Sequence, residues 1–324
     1  MQSDIKKALK APWDRIKTLN LEGIPLLTAS EQTKGSWAKE IETIHGVPEI
    51  YKEFYYEFLD ESSDFPYSVI TPTFNGFIHR ENEKLICIQN NNIFILENVN
   101  NKLLRSCYAI GDINYVEFGT ILLKAWIRIT GLVNSGILSS STLRFNSVTE
   151  YMFYPFVDKI RSAANNPSRF GKNSELSKFD YLSEVNFKFM NYVRNSVLPE
   201  ENIIDHVFQP EIHSTLFTLF GKNFYRTIST THIGILTDRE LIIIQYTGGG
   251  RMNNNKRFGG IKYYIPLKKL HSVSLTVIDD DLLELSMTMS ADEHIETLYS
   301  VSKKPEVERL LKNLSDLIPG VKIS

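Results

Sequence analysis

Leu236-Thr-Asp-Arg-Glu-Leu-Ile-Ile-Ile244 sets a short polar turn in front of a wholly apolar run. The chain carries the same layout once before, at Ile88-Gln-Asn-Asn-Asn-Ile-Phe-Ile-Leu96. An apolar run of strand length behind a turn signal reads as a buried strand. Two further matches follow. Ile110, Ile113 and Val116 correspond to Leu267, Leu270 and Val273, and Pro155-Phe-Val-Asp-Lys-Ile-Arg161 corresponds to Pro305-Glu-Val-Glu-Arg-Leu-Leu311. The separations are 148, 157 and 150 residues. They come in order and change only at the Gly-rich segment 248–260, longer in the second copy, and at Gly131–Ser141, longer in the first. A strand-rich unit ending in a helix is therefore present twice, with strands kept and loops varied.

A chain of 324 residues fits two domains on the usual ~150-residue scale. Hydrophobic residues at 42% and charged residues at 23% are ordinary for a globular protein. With 36 basic and 38 acidic residues, bulk charge selects neither nucleic acid nor an anionic membrane, so any anion binding needs a local patch. The two cysteines, Cys87 and Cys107, read as reduced thiols. Few cysteines and an N-terminus without an apolar signal segment imply a cytoplasmic location. The abundant Asn, Lys and Ile suit an AT-rich bacterial genome. Apolar runs such as Leu241–Ile244 fall far short of the ~20 residues of a membrane span.

Residues 1–62 read as a helical extension. Ser3 and Asp4 cap a helix through Ile5, Leu9, Trp13, Ile16 and Leu19, interrupted at Pro12. Ser36 opens a second through Trp37, Ile41 and Ile44, ended by Gly46. Pro48 opens a third, whose aromatic stripe of Tyr51, Phe54, Tyr55 and Phe58 is expected to pack on the first barrel. In Ile121–Thr130, Leu123, Ala125, Ile127 and Ile129 alternate with Lys124, Trp126, Arg128 and Thr130, as in a strand with one wet face. Residues 165–173 read as a breaker-rich linker. Ser174–Val197 reads as one long helix with Leu176, Phe179, Leu182, Val185, Phe189 and Val193 on one face. Its expected role is to pack the two domains together; a homodimer seam is the second reading. The plan is thus 1–62 extension, 63–165 first domain, 166–197 linker and helix, 198–324 second domain.

Six or seven antiparallel strands closed by a C-terminal amphipathic helix is a layout similar to the pleckstrin-homology (PH) superfold. Ile235–Ile244 resembles the Thr-Asp-Arg-x-Leu hairpin of bacterial PH-like and GRAM-like domains. Ile265-Pro-Leu-Lys-Lys-Leu-His-Ser-Val273 resembles the Ile-Pro-Leu strand that follows it there. The resemblance covers 198–317. It extends to 66–164, with Asn90-Asn91-Asn92 in place of Thr-Asp-Arg and Ala109 or Ile110 in place of the proline. It implies an α+β, mainly antiparallel β fold: two PH-like β-barrels, each closed by a C-terminal helix, with an N-terminal helical extension and a long linker helix. In Thr237-Asp238-Arg239-Glu240 the aspartate is expected to cap the turn amides and pair with the arginine.

The chain has no Gly-x-Ser-x-Gly, His-Glu-x-x-His, Walker loop or Cys-x-x-Cys. Its seven histidines lack metal-ligand spacing, and Asp279-Asp280-Asp281 reads as a solvated turn. No cofactor is expected. The best candidate site is the second hairpin, where Arg251, Lys256 and Arg257, with Lys262 on the next strand, stand among glycines and asparagines without an acid. Such cations suit an anion or an acidic partner. The phosphoinositide site that the resemblance implies would lie on the first hairpin, but Phe224–Ser229 has only Arg226. The expected function is a non-catalytic interaction module that binds a protein or peptide along a barrel edge or hairpin. One alternative is a peripheral adaptor on the inner face of a membrane, binding anionic lipid headgroups through residues 248–262. Another is an enzyme with an interdomain cleft. No strong nucleic-acid signal is present.

Overall fold

Most of the apolar runs bounded by turn residues fold as strands. The computed structural model describes residues 35–57, 59, 64–75, 80–134, 136–163, 174–219, 222–246, 259–290 and 293–324. The first half holds β1 (Lys39–Ile41), α1 (Glu49–Tyr56), β2 (Ser68–Ile70), β3 (Phe74–Asn75), β4 (Arg80–Glu81), β5 (Lys84–Gln89), β6 (Asn92–Val99), β7 (Lys102–Ile121), β8 (Lys124–Val133), β9 (Ile137–Asn146) and α2 (Tyr154–Ala163). Between the halves lie α3 (Leu182–Val185) and α4 (Phe187–Arg194). The second half holds β10 (Ile203–Gln209), β11 (Ile212–Leu219), β12 (Lys222–Ser229), β13 (His232–Thr237), β14 (Glu240–Tyr246) and β15 (Gly259–Pro266). It ends with β16 (Ser272–Val277), β17 (Leu282–Ser290), β18 (Glu293–Ser300), α5 (Lys304–Leu317) and β19 (Lys322–Ile323).

The repeat holds down to single hydrogen bonds. Ile110 N–H donates to Asn91 O at 3.0 Å, and its counterpart Leu267 N–H donates to Arg239 O at 2.9 Å. Ala109, opposite Asn92, therefore stands where Pro266 stands opposite Glu240. Here the copies part. After Pro266 the chain leaves the ladder as a 3-10 turn, Leu267–Lys269, and resumes as β16 in another sheet. Proline's fixed φ and missing N–H suit the last residue of a strand. Ala109 imposes no stop, and β7 runs on for 20 residues.

The two closed barrels expected from the sequence do not form. Eleven strands make one open antiparallel sheet in the order β1-β2-β5-β6-β7-β15-β14-β13-β10, with β8 paired to β7 and β9 to β8. β7 holds β8 on one edge. On the other it holds β6 along its first half and β15 along Val116–Ile121. A bare strand edge seeks a partner. Here the other copy supplies it, so the sheet runs through both copies instead of closing on either. A second sheet, β18-β17-β16-β19, belongs to the second copy, and among the described residues β11 and β12 pair only with each other.

β13 and β14 are buried on both faces. Ile233, Ile235, Ile242 and Ile244 enter one core with β7–β9, α2 and α4; Leu236, Leu241 and Ile243 enter another with β16–β18 and α5. Two-sided burial is why the run Leu241–Ile244 has no polar alternation. A third cluster sets Tyr51, Phe54 and Tyr55 of α1 on Leu85, Cys87 and Leu96. The aromatic stripe is thus a packing face. Cys87 and Cys107 are free thiols with Phe94 between them in register.

Two helical expectations need correction. Lys39–Ile41, inside the expected second helix, is β1 and pairs with β2, which buries Ile41 against the third cluster. Ser174–Val197 is not one long helix but a 3-10 turn (Ser174–Phe179), α3 and α4. Asn186 interrupts it with extended backbone (φ −163°, ψ 114°), and its side chain accepts from the Lys188 and Phe189 amides to start α4 afresh. Of the expected face, Phe179, Leu182, Phe189 and Val193 are buried in the first core and Leu176 packs against it, whereas Val185 is exposed. The expected helix at 3–19, Phe58 and the linker 165–173 lie outside the described residues.

Candidate functional site

Of the four cations singled out in the sequence, Arg251, Lys256 and Arg257 lie outside the described residues. Lys262 lies on β15 with Nζ 4.0 Å from the centroid of the Tyr192 ring of α4. Burial, and then the charge of Arg161, lower its pKa to about 8 against the pull of Glu150. A cation on a ring face ties α4 to the sheet. Gly260 leaves the room for it, since a Cβ there would meet Tyr192 Cε1 at 2.7 Å. Beside this contact Thr120, Glu150, Lys188, Tyr246 and Gly259 help line a cleft of about 200 Å3. Its carboxylate is engaged: Thr120 Oγ1 and Tyr154 Oη donate to Glu150 at 3.0 and 2.8 Å.

A buried ionic cluster joins the copies. Arg161 of α2 donates from Nε to Glu240 Oε1 of β14 at 2.9 Å and from Nη2 to the same oxygen and to Ser196 O. Glu201 Oε2 stands 3.5 Å from Nη2, and the guanidinium lies 4.0 Å above the Tyr264 ring. Two carboxyl groups thus share one cation. Burial, and then Glu240, push the Glu201 carboxyl up to about 9, against the pull of Arg161. Among the described residues Glu201 Oε1 and Glu240 Oε2 have no N–H or O–H donor, which suits a proton carried by Glu201. Glu240 closes the Thr237–Glu240 turn, where Thr237, not Asp238, does the capping. Thr237 Oγ1 accepts from the Arg239 and Glu240 amides at 3.2 and 3.0 Å. Asp238 accepts instead from the backbone and side chain of Asn202.

The larger concavity is a groove of about 430 Å3 between α5 and the edge of β16. Leu275, Val277, Leu311 and Ile323 give it an apolar floor; Lys304, Glu308 and Lys312 stand at its rim. β16 pairs with β17 on one side. On the other, β19 runs parallel to it for two residues only, Ser272 opposite Lys322 and Val273 opposite Ile323. Ser324 N–H then donates to Val273 O at 3.2 Å, and Leu275 N–H donates to Ser324 O at 2.8 Å. Alternation along a strand carries the next outward groups, Leu275 C=O and Val277 N–H, to the same edge. Among the described residues neither has a backbone partner. The sequence showed the alternation of Val273, Leu275 and Val277 but carries no local signal that this strand ends a sheet.

Among the described residues no three His, Cys, Asp or Glu side chains converge as a metal site requires, and no helix is long and apolar enough to cross a membrane. Comparison with protein-family models and with curated proteins yields no match for this chain.

Proposed function

We propose that this protein is a non-catalytic interaction module that takes an extended segment of a protein partner along the open edge of β16, beside α5. One observation carries the reading: Leu275 C=O and Val277 N–H face outward, with no backbone partner among the described residues, at the rim of an apolar groove. Strand addition supplies affinity through main-chain bonds and selectivity through pockets for alternate side chains. The edge already accepts one short parallel strand, β19. Lys304 is paired with Glu308 at 3.8 Å, so Lys312 is the rim cation that favours an acidic residue beside the segment's apolar ones.

Selection of a random linear peptide display library on the full chain tests this. Enriched peptides should lose about tenfold or more in affinity on Val277→Pro, which deletes the outward N–H. Val277→Thr should keep binding. Val277 is 57% exposed, and proline is tolerated on a free edge, so the variant should fold. Peptides that bind the proline variant as well as the parent would refute the reading.

A further inference from the structure

The chain itself occupies part of the β16 edge. α5 ends at Leu317, and Gly320 then turns the backbone with φ 113°, a conformation that favours glycine. Val321 packs against the second core. β19 follows and lies on the edge. Lys322 N–H donates to His271 O at 3.2 Å, Ser324 N–H donates to Val273 O at 3.2 Å, and Leu275 N–H donates to Ser324 O at 2.8 Å.

This strand is weakly held. β17 pairs with β16 at six positions, whereas β19 pairs at two and in the parallel sense, the less stable one per residue. Lys322 and Ser324 are exposed, and Ile323, which lines the groove, is 37% exposed. Yet β19 takes main-chain groups that an incoming segment would use. With β19 in place, Leu275 C=O and Val277 N–H are what the edge still offers. Two main-chain bonds contribute too little in water to hold a segment at micromolar strength. A segment that also took over His271 O, Val273 O and Leu275 N–H would run along all of Ser272–Val277, the usual length of a strand.

We propose that β19 is a tethered place-holder, which shields the β16 edge until a partner segment displaces it. The inference rests on strand addition at this edge. A bare edge invites pairing with the wrong chain, and a short strand joined through Gly320 covers it without blocking the right one. The shield lowers the partner's apparent affinity by the fraction of molecules in which the edge is covered.

The test measures the peptides selected on the full chain against the parent, against Val277→Pro, and against a variant carrying Lys322→Pro with Ser324→Pro. The double substitution removes the two N–H groups that bond to His271 O and Val273 O. Both positions are exposed and Val321 keeps its packing, so the variant should fold. It should bind the peptides about tenfold more tightly than the parent does. In the parent, the Lys322 and Ser324 amides should lose hydrogen-exchange protection when peptide binds. Equal or weaker binding by the double variant overturns the place-holder, as does protection at Lys322 and Ser324 that survives peptide binding. If Val277→Pro still weakens binding in that case, strand addition stands without the place-holder. Peptides indifferent to Val277→Pro refute strand addition itself, and the place-holder with it.

Discussion

The helices that end the two copies, α2 and α5, hold equivalent places and do opposite things. At the equivalent positions α2 has Arg161 and α5 has Leu311. Arg161 reaches out of its own copy to Glu240, whose counterpart in the first copy is Asn92. Leu311 forms part of the floor of the open groove. One helix face is consumed in joining the copies, whereas its twin packs Leu311 into the second copy's own core, beneath the groove. Equivalent helix positions thus serve two ends: one ties the copies together and the other fills a core.

Making the first helix like the second is the most damaging way to probe that comparison. Arg161→Leu removes the one cation that Glu240 and Glu201 share and leaves both carboxyls buried. Breaking a buried pair in this way costs about 3–5 kcal/mol. Urea unfolding of parent and variant measures it. A loss under about 1 kcal/mol would mean that the cluster contributes little to joining the copies.

A gentler probe keeps Arg161 and removes the proton. The Glu201 carboxyl is raised by burial and then by Glu240, so the folded chain holds a proton that the unfolded chain releases in the ordinary carboxylate range. The stability tied to that proton is fully present below this range. It falls as pH rises toward about 9 and then levels off. Glu201→Gln, neutral throughout, should flatten this slope while changing stability little at about pH 5. Parallel urea midpoints for parent and variant between about pH 5 and about pH 9 would count against a proton carried by Glu201.

How much of this could be read from residues alone follows from range. Ala125, Ile127 and Ile129 are buried as their alternation predicts. Leu123, assigned to the same face, is not, because it sits in the two-residue turn between β7 and β8, which no glycine or asparagine marks in the sequence. The β7–β15 pairing was illegible: it joins two edges far apart in sequence, and no local periodicity encodes which edges meet. Nothing in the residues around Arg161 marks it as buried. The available clue was Leu311 at the equivalent position, which places Arg161 on the helix's buried face.

The smallest effect concerns the point where the copies diverge. Pro266 stands opposite Glu240 next to the pair that carries the Leu267–Arg239 bond, so its missing N–H costs no bond to β14. Pro266→Ala should therefore act mainly through the unfolded chain, which gains freedom, and cost about 0.4–1 kcal/mol. The 3-10 turn should survive, because Leu267 N–H still meets Arg239 O and Leu270 N–H still meets Leu267 O, with both leucine side chains buried. Hydrogen exchange at Leu267 and Leu270 checks this directly. Unchanged protection would show that packing of the two leucines holds the break and that proline only favours it. Lost protection with a cost above about 2 kcal/mol would make this one residue the reason the second copy splits its sheet where the first runs on.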